Sequence, residues 1–249
     1  KGGCGKTTTA INLAYALSSD VKAKVVLLDF DLQFGDVAIA LQIDPKKTIS
    51  DAISMQNNID ELGIQSLLVN QEKNLDILLA PTNPTDIEFI TAKLAENLID
   101  KLRQSYDYII VDSPPAFTDV ILQVFDMADR CFLLTTLDMP AIKNLRLVKN
   151  TLEALSIPES KLEYVLNKSD LRAGLGIAEA EEMIGAPFSI QIPSSVEVSI
   201  STNKGLPIVL DSPIHPVSRA FIFLARSTDR RFRRNNNAEK PKSFLGRNR

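Results

Sequence analysis

The sequence is poor in the residues that staple or metallate a fold. Its 249 residues include two cysteines, Cys4 and Cys131, and one histidine, His215. The cysteines show no CxxC or Cys/His spacing, so neither a disulfide framework nor a zinc site is expected, and a reducing, cytoplasmic setting is the default. His215, between Ile214 and Pro216, has no partner at catalytic spacing and reads as a loop residue. No apolar run approaches the roughly 20 residues of a membrane span, and no signal peptide is recognisable. The first residues are Lys1-Gly2-Gly3, without an initiator Met.

What is present is ordinary for a globular protein: 45% hydrophobic and 24% charged residues, with a net charge of −3. A collagen-like repeat, a coiled coil or wholesale disorder is excluded, and the length suits one α/β domain or two small ones. The net charge conceals an asymmetry. From Arg226 onward nine basic residues face two acidic ones, a balance of +7, so residues 1–225 carry −10. The segment from Arg234 through Asn235-Asn236-Asn237 to Pro241 has no apolar periodicity and reads as disordered. Such a basic tail suits nucleic acid, anionic lipid or an acidic partner, or it is simply solvated.

Short apolar runs alternate with helical patterns along the body. Val25–Asp29, Leu75–Leu79, Tyr108–Val111, Arg130–Thr135, Leu162–Leu166 and Phe188–Ile192 read as strands, and Val25-Val26-Leu27-Leu28 is continuous, as in a buried parallel strand. Thr7–Leu17, Asp86–Gln104, Asp119–Met127, Ala141–Leu155 and Ala178–Ile184 carry helical spacing. The alternation predicts an α/β fold, a mostly parallel twisted sheet with helices on both faces. Residues 1–225 form one domain and residues 226–249 a tail.

The chemistry concentrates in loops after strands. KGGCGKTTT runs directly into the helix AINLAYAL. Gly5-Lys6-Thr7 closes a G-x-x-x-x-G-K-[ST] phosphate loop whose first glycine would lie upstream. Gly2, Gly3 and Gly5 let backbone N–H groups, with those of Cys4 and Thr8, turn onto phosphate at a helix N-terminus. Lys6 would reach the β and γ phosphates of ATP, and the Thr7 hydroxyl would ligate Mg²⁺. A phosphate loop is fed by a strand that this sequence does not contain, so it reads as a fragment, and the sheet is expected to expose two unpaired edges. Asp112 ends an apolar run ahead of Ser113-Pro114-Pro115, as a Walker B aspartate serving Mg²⁺ would. Asp29-Phe30-Asp31 ends another strand with two carboxylates, one near the metal and one able to orient the attacking water. Asn167-Lys168-Ser169-Asp170 ends a later strand, where a side-chain amide can bond the edge of a base.

Lys1 ahead of the glycines, the doubled threonine and the Asp-x-Asp strand end together resemble the deviant-Walker ATPases of the MinD/ParA superfamily. The resemblance covers about residues 1–226. It implies a nucleotide-sandwich homodimer in which Lys1 crosses to the partner's phosphates. It makes Lys6 the phosphate-loop lysine and assigns Thr7 and Asp112 to Mg²⁺, with Asp29 beside the metal. Asp31 would position the hydrolytic water, Asn167 would face the adenine, and Pro193 would lie near the base. Residues 27–45, with Asp31-Leu32-Gln33-Phe34-Gly35-Asp36, look most like the pilus-assembly ATPases CpaE and TadZ, many of which carry a receiver-like domain ahead of the ATPase. That subgroup implies an ATP-dependent switch placing a pilus or secretion machine, cytoplasmic or peripheral at the inner membrane face or cell pole.

The rivals differ in testable residues. A bacterial tyrosine-kinase module carries a tyrosine cluster in its tail, whereas the tyrosines are Tyr15, Tyr106, Tyr108 and Tyr164. Iron–sulfur carriers need cluster-binding cysteines; Cys4 fills a variable phosphate-loop position and Cys131 reads as core. A MinD-like cell-division ATPase, a ParA-like DNA segregator and an ATP-binding scaffold with little turnover remain as alternatives. In the tail, Phe244 and Leu245 among basic residues suit weak, reversible contact with an anionic membrane.

Overall fold

A computed structural model describes residues 2–55, 59–171 and 174–229. The roles expected of Lys1 and of the tail from Arg230 onward fall outside the described residues.

The strands are β1 (Val25–Asp29), β2 (Val69–Glu72), β3 (Leu75–Leu78), β4 (Tyr108–Asp112), β5 (Cys131–Thr135), β6 (Leu162–Asn167) and β7 (Ile190–Ile192). β1 is flanked in parallel by β3 and β4, with Val25 opposite Leu75 and Tyr108 and Asp29 opposite Asp112. β2 joins β3 antiparallel at the edge, giving the order β2-β3-β1-β4. A second parallel sheet has the order β5-β6-β7.

Every residue of β1 is buried, and its side chains divide between two cores. Val25 and Leu27 pack with α1 (Lys6–Ser19), the short α2 (Val37–Ala40), α9 (Ile208–Asp211) and α10 (Pro216–Thr228). Val26 and Leu28 pack on the other face against α3 (Glu61–Leu67), α4 (Ala92–Leu102) and α5 (Asp119–Met127). Burial on both faces is why the strand is continuously apolar. A third core lies between β5, β6 and the helices α6 (Met139–Ala154) and α7 (Ile177–Ile184). Val165, Ile190 and Ile192 of the second sheet belong to the α1 core, so that helix layer joins the two sheets.

Among the described residues β4 and β5 are each paired on one side only, to β1 and β6. They line a cavity of about 700 Å³ whose floor includes Thr9, Ala10 and Leu13 of α1. Tyr108–Val111 are apolar yet only half-buried, which follows from that position.

Three elements depart from expectation. The helix expected over Asp86–Gln104 is two pieces, a 3-10 turn at Pro84–Phe89 and α4. Thr91 separates them: its backbone is extended and its hydroxyl accepts the Leu94 N–H, capping α4. Ile90 is still buried against Leu94, so the apolar spacing was real while the backbone was not continuous. β2 went unread because Val69-Asn70-Gln71-Glu72 is mostly polar, as an exposed edge strand is. The boundary expected at residue 226 falls within α10. α10 continues to Thr228, and the Arg226 guanidinium donates two hydrogen bonds to Asp20 at 2.8 Å each.

Candidate nucleotide site

The phosphate loop owes its form to two glycines. Gly3 and Gly5 lie in the left-handed region, at φ +77° and +93°, and Gly5 is the N-cap of α1. Alternation of that kind turns successive N–H groups toward one concavity, and the first turn of α1 adds N–H groups that have no intrahelical acceptor. Cβ atoms built on Gly2 and Gly3 would meet nothing within 4 Å, so the cradle opens outward. Cys4 is buried and closes its inner side.

Thr7 and Asp112, 105 residues apart, meet at the base of this cradle. The Thr7 hydroxyl donates to Asp112 Oδ2 at 2.6 Å. Asp112 is 2% exposed. Burial pushes its carboxyl up to about 6, against the opposing pull of the Thr7 hydrogen bond and the nearby Lys6 ammonium. Two hard oxygens this close, one on a buried carboxylate, are the kind of donors a Mg²⁺ ion takes. Lys6, Thr7 and Asp112 thus come together as the sequence predicts.

Asp29 sits beside Asp112 in register on β1. Its carboxyl is pushed up to about 7, chiefly by burial and then by the Asp112 charge. Both of its oxygens face backbone: Oδ1 accepts the Asp31 N–H at 3.2 Å and Oδ2 the Val37 N–H at 3.2 Å. Asp29 therefore organises the loop 31–37, while the Thr7 hydroxyl bonds Asp112. Asp31 opens that loop, half-buried, with Oδ1 accepting the Phe34 N–H at 3.3 Å. It is close enough to raise the pKa of both Asp29 and Asp112.

Asn167 ends β6, where its Nδ2 donates to the Cys4 carbonyl at 2.9 Å, so this side chain touches the phosphate loop itself. Pro193 is half-buried between β7 and Ser195, the cap of α8 (Val196–Asn203). The next residue, Ser194, donates its N–H to Asp170 Oδ1 at 2.6 Å, which brings the Pro193 and Asn167 loops together.

Two contributors escaped the sequence reading. Asn12, 3% exposed, bridges α1 and α9: Nδ2 donates to the Thr8 carbonyl at 2.8 Å and Oδ1 accepts the Val209 N–H at 3.1 Å. Gly35 is where the 31–37 loop passes against Asp29 and Ala80. The only sequence signal for either was a polar residue on an otherwise apolar helix face and a glycine after Asp-x-Asp. His215 is the N-cap of α10; its Nδ1 accepts the Val217 N–H, as a loop residue at a helix start does.

Comparison with known proteins gives the family and the fold. The sequence profile of the AAA domain matches residues 1–163. The septum site-determining protein MinD of Synechocystis sp. is 30% identical over 233 residues, covering 91% of this chain and 85% of that protein. The chain belongs to the MinD/ParA superfamily of P-loop ATPases. Solved structures of the superfamily share its fold. A ParA family ATPase from Chlorobium tepidum TLS superposes with a TM-score of 0.85 at 24% identity, covering 90% of this chain and 95% of that one. The MinD of Pyrococcus horikoshii OT3, solved in complex with Mg-ADP, gives 0.79 at 22% identity, covering 92% and 93%. As a MinD/ParA protein, the chain has the P-loop α/β architecture expected from its sequence. Among the described residues no helix is long and apolar enough to cross a membrane.

Proposed function

We propose that this chain is an ATP-binding, slowly hydrolysing dimerisation switch of the MinD type. The single observation that carries the reading is the left-handed Gly3/Gly5 cradle at the start of α1, with the Thr7 hydroxyl 2.6 Å from the buried Asp112 carboxylate. The residues fit Mg-ATP. The open glycine cradle suits phosphate oxygens, and Thr7 with Asp112 offers the one or two protein oxygens that Mg²⁺ typically takes when phosphate and water complete its shell. Among the described residues no group of three or more His, Cys, Asp or Glu side chains converges as a self-sufficient metal cage, consistent with a metal held jointly with a nucleotide.

The bound metal would neutralise charge developing on the transferred phosphoryl group. Lys6 and the α1 N–H groups hold the phosphates, and Lys1 reaches across to a second copy. Asp31 orients the attacking water from the mouth of the 31–37 loop. Asp29 holds that loop, which assigns it a supporting position beside the metal residues. Catalysis of this kind is positioning and electrostatics, since phosphoryl transfer leaves the protein little covalent work.

For the cellular role, the relatives named above support a MinD-like septum-site or ParA-like partition function over the pilus-assembly reading. The residues at 27–45 are what remains in favour of CpaE and TadZ. The partner protein is then one that reads the ATP dimer, at the cytoplasmic face of the membrane for a MinD-like protein or on DNA for a ParA-like one. Size-exclusion chromatography with light scattering, with and without Mg-ATP, tests the switch. The natural chain should become a dimer only with ATP, Lys6→Ala should bind no nucleotide, and Lys1→Ala should bind it yet stay monomeric. A Lys6→Ala protein that binds ATP as the natural chain does would sink the proposal.

A further inference from the structure

The side chain of Asn167 is committed to the phosphate loop, and the surrounding contacts leave it little freedom. Asn167 Oδ1 accepts the N–H of Lys168 at 2.9 Å, and Lys168 is itself left-handed at φ +53°. Its backbone lies opposite Ile192 in the β6–β7 ladder, and Ser169 donates to the Ile192 carbonyl at 3.0 Å. One Nδ2 hydrogen is used on the Cys4 carbonyl at 2.9 Å. A Cβ on Gly5 would stand 2.3 Å from that same Nδ2. The amide therefore sets which way the Cys4 carbonyl points, and it occupies the space beside the left-handed residue that starts α1.

A carbonyl held by Asn167 is not free to turn into the concavity, where its partial negative charge would oppose phosphate. We infer that Asn167 is a positioning residue of the phosphate loop, whose Nδ2–H···O=C bond to Cys4 keeps the loop in its anion-binding form. The inference rests on the ATP-binding reading and extends it. The second sheet then shapes the phosphate end of the site as well as the base end, since the Asn167 loop is tied through Asp170 to Ser194 beside Pro193. Nδ2 keeps one further hydrogen, so contact with a base and support of the loop are compatible in one side chain.

Two measurements test the role. Isothermal titration compares ATP with inorganic tripolyphosphate, which has the phosphates and no base, on the natural chain and Asn167→Ala. Loss of one loop-holding hydrogen bond predicts that tripolyphosphate binding weakens by about three- to tenfold and ATP binding by at least as much, since any base contact is lost with it. ATP weakening while tripolyphosphate binding is unchanged, or neither changing, overturns the inference. The second measurement uses no ligand. Gly5→Ala is introduced into the natural chain and into Asn167→Ala, and the thermal midpoints are compared. The Gly5→Ala loss should be clearly smaller in the Asn167→Ala background, keeping only the part due to the left-handed backbone. Equal losses in the two backgrounds overturn the inference. A natural chain that binds neither ligand sinks the ATP reading, while the thermal comparison still decides whether Asn167 packs the loop.

Discussion

Gly35→Ala separates a loop that is held from one that merely lies on the surface. A Cβ at this position would stand 2.4 Å from the Ala80 Cβ and 2.6 Å from Asp29 Oδ2. The Gly35 backbone lies outside the left-handed region, so the cost is one of space. Neither neighbour is the mobile end of a long side chain. Ala80 has no rotamer to change, and Asp29 Oδ2 already accepts the Val37 N–H. Overpacking of one methyl into such a site costs about 1–3 kcal/mol. Displacing the buried Asp29 acceptor from its backbone donor adds about 1–3 kcal/mol. At roughly 2–4 °C per kcal/mol for a chain of this size, the thermal midpoint should fall by about 4–24 °C. Gly2→Ala, which would meet open space, is the control and should change stability by no more than about 0.5 kcal/mol. The double variant Gly35→Ala/Ala80→Gly relieves one of the two contacts, so its loss should be smaller than the sum of the single losses. Calorimetric melts of five proteins, the natural chain, Gly2→Ala, Gly35→Ala, Ala80→Gly and the double variant, decide the matter. A Gly35→Ala protein that melts with the Gly2→Ala control, or strict additivity in the double variant, refutes the reasoning. Because Asp31 opens the same loop, Gly35→Ala should also lower ATP turnover more than ATP affinity.

Two further outcomes follow from surface charge and from the cysteines. The Asp20–Arg226 pair is partly exposed, with side chains 26% and 52% accessible, so solvent screening limits Arg226→Ala to a loss of about 1 kcal/mol or less. Arg226 holds the Asp20 carboxyl below its usual value, so the pair's contribution is present above the unfolded pKa near 3.8 and is lost as pH falls through the lower folded value; melts at pH 7 should separate the two proteins and melts at about pH 2 should not. Burial pushes the Cys131 thiol up to about 11, and Cys4 is 3% exposed, so a thiol reagent at pH 8 should react with the native chain far more slowly than with the unfolded one. Prompt labelling of both cysteines in the native protein would contradict their placement.

The parts legible in the sequence were those set by neighbours along the chain. Val25–Asp29 announced itself through continuous apolar character, and the Gly5-Lys6-Thr7 triplet through a spacing that only phosphate binding needs. Asp112 was readable because an acid ends an apolar run. Asn167 was readable as a polar strand end, yet its contact with Cys4 joins residues 163 apart and has no local signature. Asp29 was readable as an acidic strand end, and only the folded path of residues 31–37 shows each of its oxygens also accepting a backbone N–H. The Asp86–Gln104 pattern failed differently, since apolar spacing reports which side chains are buried and says nothing of a cap such as Thr91 between two short helices.

The way the buried side chains divide among three clusters has a consequence for cooperativity. One core is confined to the β1–β4 side and another to the β5–β7 side, while the α1, α9 and α10 layer is shared. Local opening follows such divisions, with contiguous units exchanging their amides together. Native-state hydrogen exchange of the nucleotide-free chain should therefore resolve two units, one containing β1 and β3 and the other β6. A nucleotide gripped at its phosphates by α1 and at its base beside Asn167 and Pro193 would span both. Its binding would then merge two exchange units into one, and the chain would gain rigidity across the sheet from a ligand that touches only one end of it.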